Sequence, residues 1–454
     1  MRLFSILAIL LLSFDLAAEE APERKPNIVF IMVDDMGLGD VGCYGGKVMK
    51  TPNLDALSRE GMLFSNAYSG SAVCAPSRCV LMTGRHTGHA SIRANKELPT
   101  EGQTPMTEGY TIASVLKKSG YSTGLFGKWG LGFPGSPSEP LKAGFDHFFG
   151  YNCQRHAHTY YPDWLHDGET VFGMPENKEG RKTHSAEVIK NRTLKFIEDN
   201  QGRPFFCYAA WTMPHGKYTA PDTGRFGKEP WSKDVQNYAA MVELLDAHLG
   251  EVRAKLKQLG LEKDTLLIFT SDNGANQEFV KDLASTAGLR GTKRSLHEGG
   301  IRSPFLAVWP GRIKAGSRSD LLAGHVDVLA TCAEMAGAGA PANDGVSLLP
   351  TLTGEGKQQE RDFLYWEFYE GRFQQALRAG QWKAYREGAL DAPLKLYDLS
   401  QDPHEDRDLA ASQPELVARF AAILAAQHQP SPIWRAPGEG GKSEQPKTKK
   451  NRGS

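Results

Sequence analysis

Four apolar runs punctuate the first 270 or so residues of the chain, and each stops at a polar tip: Pro26–Val33, Tyr121–Phe126, Pro204–Trp211 and Thr265–Thr270. Short continuous apolar runs with β-branched and aromatic content suit strands covered on both faces. Between them lie segments with helical spacing. Ser185–Asp199 is one, and Tyr110–Ser119, with Thr111 as N-cap and Gly120 as terminator, is another. A long one spans Val235–Leu259, with Met241, Leu244, Leu245, Leu249, Val252 and Leu256 on one stripe and Gly260 closing it. Pro52–Phe64 carries Leu54, Leu57 and Met62 at the same spacing. This alternation predicts an α/β fold: a large, mostly parallel or mixed sheet with helices on both faces.

Ligands of open α/β sheets bind beyond the carboxyl ends of the strands, so the four tips are the first place to look for chemistry. They present Asp34 and Asp35, then Lys128, then His215, then Asp272 and Asn273. Adjacent acids at the end of a buried strand are costly unless something positive holds them. Three carboxylates and an amide oxygen form an all-oxygen set of the kind hard divalent cations prefer, and calcium accepts such irregular coordination more readily than magnesium. Each tip also has a plainer reading: a solvated acidic turn or helix cap at Asp34, and the common Asp-Asn-Gly turn at Asp272.

Beyond the polar stretch Gly354–Glu360 the pattern changes to short strand-like segments, Phe363–Phe368, Gln374–Ala379, Trp382–Tyr385 and Leu394–Leu399, followed by a helix over Pro414–Gln427. The chain therefore divides into a catalytic α/β domain (26–355), a smaller C-terminal subdomain of antiparallel sheet plus helix (361–430), and a disordered tail (437–454) rich in Lys, Gly and Pro. Residues 1–18 read as an export signal, with Arg2, the apolar run Leu3–Leu12 and the small residues Ala17 and Ala18. The run is too short for a membrane span, so the expectation is a periplasmic or secreted protein. A formal net charge of zero favours neither nucleic acid nor an anionic membrane as partner. None of the six cysteines shows metal-type spacing, and no disulfide is assigned.

The stretch Ser71–Arg85 contains Cys74-Ala-Pro-Ser-Arg78, which resembles the signature of the sulfatase family. With the strand tips, the likeness runs from Asn27 to Leu396-Tyr-Asp-Leu399 and is to the type I, formylglycine-dependent sulfatases of the alkaline phosphatase superfamily. In that family the cysteine is oxidised to formylglycine by a separate maturation enzyme. A hydrated aldehyde offers one hydroxyl as nucleophile and a second whose collapse expels sulfate without renewed attack at sulfur. The resemblance implies that Asp34, Asp35, Asp272, Asn273 and converted Cys74 bind a divalent metal ion, calcium before magnesium. It also implies that Arg78 steadies the hydrate and that Lys128 contacts hydrate and sulfate. Lys293, five residues before Glu298-Gly-Gly-Ile-Arg-Ser-Pro304, corresponds to a sulfate-binding lysine, and His215 to a histidine near the leaving oxygen. His215 as imidazolium, or Lys293, would donate a proton or a hydrogen bond to that oxygen.

One position departs from the pattern. Many sulfatases carry a histidine two residues after the lysine, where this chain has Gly130. His86, His156 and His158 are the candidates to replace it. The aromatic and histidine-rich stretch Gln154–Trp164, with Trp366–Gln375, suggests a carbohydrate pocket, hence a sulfated glycan or oligosaccharide as substrate. The competing readings are a phosphodiesterase or phosphonate monoester hydrolase on the same scaffold, and a glycan-binding protein whose Cys74 stays unmodified.

Overall fold

A computed structural model describes residues 24–98 and 102–439. The expected signal segment and most of the expected tail lie outside them. Ten strands form the main sheet: β1 Asn27–Val33, β2 Met62–Phe64, β3 Ser122–Lys128, β4 His147–Tyr151, β5 Trp164–Asp167, β6 Thr170–Gly173, β7 Phe205–Ala210, β8 Thr265–Ser271, β9 Phe305–Val308 and β10 Ser317–Ser319. Their order is β10-β2-β9-β8-β1-β7-β3-β4-β5-β6. The centre, β8-β1-β7-β3-β4, is parallel. Antiparallel pairing begins on one side at β9 and on the other at β5, so the sheet is mixed with a parallel core.

Register brings the tips level. Met32 of β1 pairs with Ala210 of β7 and Thr270 of β8, and Ala210 pairs with Gly127 of β3. Asp34, Lys128 and Asp272 therefore emerge along one edge of the sheet.

Alternation along β1 divides the core. Val29, Ile31 and Val33 pack on the side of α1 (Pro52–Glu60), α4 (Ser185–Asp199) and α5 (Lys233–Gln258), while Ile28, Phe30 and Met32 pack on the side of α2 (Cys74–Thr83), α3 (Ile112–Lys118) and α6 (Val328–Met335). α3 starts as its sequence suggests, with the Thr111 hydroxyl accepting from Ser114 N. The helix expected over Pro52–Phe64 is shorter. It ends at Glu60, and Met62–Phe64 form β2. The cause is Gly61, where a Cβ would lie 2.1 Å from the Ala307 carbonyl oxygen, so the chain straightens to pair with β9.

Four antiparallel strands, β11 Leu364–Phe368, β12 Gln374–Ala379, β13 Trp382–Glu387 and β14 Lys395–Asp398, make a separate C-terminal sheet. One face is covered by α7 (Pro414–Gln427) through Phe420 and Leu424. The other, with Trp366, Phe368 and Tyr385, packs on Tyr68, Val80, Leu296 and Ile301 of the larger domain. A buried ionic cluster locks this interface. Lys383 Nζ lies 3.0 Å from both Glu298 Oε1 and Glu405 Oε1, and Glu405 Oε2 accepts from Glu298 N at 2.7 Å.

The start of the expected tail is docked rather than disordered. Pro437 O accepts from Leu390 N at 3.1 Å, and the Glu439 carboxylate meets His428 Nε2 at 2.8 Å. All six cysteines are free. Among the described residues no helix is long and apolar enough to cross a membrane.

Candidate active site

Cys74 begins α2 and is 2% exposed, at the floor of a cleft of about 860 Å³ whose walls include Gln154, His158, His215, Lys293 and Glu370. Its Sγ lies 3.3 Å from Asp34 Oδ1. Burial, with Asp34 beside it, pushes the Cys74 thiol well above its ordinary range.

Around it the strand tips converge as a lattice of opposite charges. Lys128 Nζ donates to Asp34 Oδ2 at 2.6 Å. Arg78, one turn along α2 from Cys74, donates to Asp34 Oδ2 at 3.3 Å, Asp272 Oδ2 at 2.9 Å and the Lys128 carbonyl at 2.9 Å. Lys293 Nζ donates to Asp35 Oδ2 at 2.7 Å, and His215 Nε2 lies 3.5 Å from the same oxygen. The Asp35 backbone N–H donates to Asp272 Oδ1 at 3.2 Å, and Asn273 Nδ2 donates to Asp35 Oδ1 at 2.7 Å. Every residue singled out at the four tips and in the Cys74 stretch, together with Lys293, thus belongs to one contact network.

Burial pushes the Asp34 carboxyl up, but Lys128, then His215, Arg78 and Lys293, more than offset this and hold it well below the usual carboxylate range. Asp35 is likewise held low, chiefly by Lys293 against burial. Asp272 goes the other way, raised by burial and by Asp34. Lys293 keeps its proton because Asp35 overcomes the effect of burial. Burial, then Lys293, lowers His215 to about 3.

The residues fit a divalent cation. Asn273 Oδ1 is buried with no hydrogen-bond partner, and ligand atoms of Asp34, Asp35, Cys74 and His215 lie within 4.8 Å of one another. An orphaned amide acceptor beside two carboxylates is the donor chemistry that hard cations take.

The match to the Sulfatase family model covers residues 26–338. This chain belongs to the sulfatase family. A second model, N-sulphoglucosamine sulphohydrolase C-terminal, matches residues 291–427. Mouse N-acetylgalactosamine-6-sulfatase is 35% identical over 84% of this chain and 75% of its own length. Human arylsulfatase A is 33% identical over 91% of this chain and 90% of its own. Among solved structures, Ps i-CgsB superposes with a TM-score of 0.79 at 28% identity, covering 89% of this chain and 94% of that one. The protein is a sulfatase, a hydrolase of sulfate esters.

Of the three candidates to replace the histidine absent at Gly130, only His158 lines the cleft, where its ring stacks on His215 at 4.7 Å. His86 lies elsewhere, its Nε2 3.1 Å from Gln427 Oε1 and its ring against His89 and Tyr365. His156 packs edge-on to Tyr151 and against Trp164. The expected aromatic wall is also narrower than the sequence suggested. Trp366 is buried with its Nε1 donating to Ser69 O at 2.9 Å, and only Glu370 and Gly371 of that segment reach the cleft.

Two site residues escaped the sequence reading. Asn276 donates to Asp35 Oδ2 and to the Tyr218 hydroxyl, both at 3.0 Å. Its position three residues beyond Asn273 on one loop was the available signal, whereas Tyr218 follows His215 through a loop with no local pattern.

Proposed function

We propose that this sulfatase removes sulfate from a sulfated carbohydrate, using formylglycine made from Cys74 and a calcium ion held by Asp34, Asp35, Asp272 and Asn273. The observation that carries the reading is Cys74 itself, buried at the start of α2 on the cleft floor with its Sγ 3.3 Å from Asp34 Oδ1. Oxidation to an aldehyde, whose hydrate supplies the attacking oxygen, gives that position a use. A bound cation withdraws charge from that oxygen and from the sulfate.

The chain's own groups divide the remaining work. Arg78 and Lys128, both buried, supply fixed positive charge where negative charge develops. Lys293, 5% exposed at its side chain, is placed to donate to the departing alcohol, with His215 beside it on the same Asp35 oxygen. His158, stacked on His215 at the cleft wall, takes the proton that the absent histidine at 130 would take.

Carbohydrate is favoured over a small aryl alcohol as the natural substrate. The cleft volume of about 860 Å³ exceeds what a single ring needs. The chain is similar to N-acetylgalactosamine-6-sulfatase, and Ps i-CgsB, 28% identical, has been solved in complex with k-i-k-neocarrahexaose.

The deciding experiment is mass spectrometry of the peptide containing position 74, from protein co-expressed with a maturation enzyme, alongside parallel assays with aryl sulfate and aryl phosphodiester. Aldehyde at 74 and a higher kcat/KM for the sulfate ester are expected. An intact thiol in active enzyme, or preference for the diester, overturns the proposal.

A further inference from the structure

Gly130, two residues beyond Lys128, cannot readily carry a side chain. Its φ is +76°, in the left-handed region that favours glycine. A Cβ there would also lie 2.3 Å from Gln154 Nε2. The amide end of Gln154 therefore occupies the space into which a residue at 130 would project. Backbone pairing fixes the arrangement: Trp129 N donates to Tyr151 O at 2.9 Å and Gly130 N to Asn152 O at 3.1 Å, extending the β3–β4 register and holding the Gln154 loop against the Lys128 strand. On the far side Arg155 grips Glu97 Oε2 through Nε and Nη2, at 3.0 and 2.7 Å.

Gln154 is 5% exposed and borders the cleft that holds Cys74, yet its Nε2 is buried with no hydrogen-bond partner. A buried donor is costly to leave unmet, and an amide N–H₂ can only donate. Because Gln154 lines the cleft, a rotation of its amide end presents this donor to what enters there. The ligand groups that enter beside Lys128 are the oxygens of a sulfate, which are acceptors only.

We propose that Gln154 is a sulfate-binding residue, donating from Nε2 to a non-bridging oxygen of the substrate's sulfate, and that Gly130 is the gap that lets it do so. The proposal rests on the sulfate-ester reading above. It assigns position 154 a role in holding the transferring group and none in proton transfer, because an amide takes up no proton at ordinary pH.

The test uses full-length enzyme whose conversion at position 74 has been verified by mass spectrometry for each variant. The rate on an aryl sulfate and the inhibition constant of inorganic sulfate are both measured. Removing one preorganised donor, Gln154→Leu, is expected to lower kcat by about 100-fold and to raise the sulfate inhibition constant roughly tenfold. The pH profile should keep its shape. Gln154→His, which keeps an N–H donor, should recover most of the rate. If the leucine variant fails to fold, Gln154→Glu serves instead. It is isosteric, and its carboxylate facing sulfate must weaken inhibition further. An unchanged kcat and sulfate inhibition constant in a folded variant overturns the assignment, as does a change confined to the pH profile. Wild-type enzyme that hydrolyses no sulfate ester would instead refute the underlying functional reading.

Discussion

Lys383 is the test of how the C-terminal sheet serves the active site. Its Nζ is fully buried between Glu298 and Glu405, both also fully buried. Replacing it with methionine removes the charge that the two carboxylates share, leaving, among the described residues, Glu298 only Arg302 at 3.6 Å and Glu405 only His297 at 2.9 Å. Breaking a buried pair from one side costs about 3–5 kcal/mol. At about 2.1 cal/mol/K of unfolding entropy per residue, a chain of 454 residues loses roughly 1 kcal/mol per kelvin near its midpoint, so Lys383→Met should lower the melting temperature by about 3–5 °C. The pH dependence gives a sharper signature. Burial pushes the Glu405 carboxyl up, but Lys383, then His297, overcome it and hold it below its ordinary value of 4.5. A carboxyl depressed in this way stabilises the fold above that value, and the contribution disappears as pH falls through its folded range. The gap between wild type and variant in differential scanning calorimetry should therefore be full at pH 7 and narrow progressively below pH 4.5. KM for an aryl sulfate should rise as well, since the cluster holds the segment that carries Lys293. Equal melting temperatures at pH 7, or a gap that persists into acid, would refute the reasoning.

Chelation should abolish aryl sulfatase turnover, with calcium restoring more activity than magnesium; full activity in excess chelator would remove the cation from the site. His158→Ala should leave sulfate on the peptide containing position 74 after mixing with substrate, whereas His86→Ala and His156→Ala should turn over normally. Mass spectrometry of the quenched enzyme distinguishes these outcomes. Asp40, buried with one carboxylate oxygen lacking a partner, is raised by burial to about 7. Its native form thus holds a proton that the unfolded chain has lost, and stability should fall as pH rises from the ordinary 3.8 toward 7. Asp40→Asn should flatten that slope in thermal melts taken between pH 5 and 8; parallel slopes would count against it.

The central strands were legible because burial on both faces leaves continuous apolar runs, and their polar ends stand out against them. Asp34, Lys128, His215 and Asp272 could be picked from those ends alone. The flanking strands were not: β5 and β6 alternate and are partly exposed, and β2 was read as the end of α1 because Met62 keeps helical spacing past Gly61. Burial that depends on distant partners also escaped. Trp366 reads as a sugar-stacking residue, yet it packs against Tyr68 at 5.4 Å between ring centres. His86 and His156 are chemically equivalent to His158 in the sequence, and only the path of the chain separates them. Gln154 was visible merely as part of a histidine-rich loop, because its significance depends on a glycine at the end of the neighbouring strand.

The loop bearing Lys293 is tethered on both sides by the C-terminal module. Gln374 accepts from Leu296 N at 2.9 Å and donates to Arg294 O at 2.9 Å, while Glu405 holds His297 and Glu298. A graft made at the apparent seam near residue 355 would part this loop from its moorings. A graft that keeps those tethers begins near residue 290 instead, so that a recombined module which reshapes the cleft rim carries its own lysine along with it.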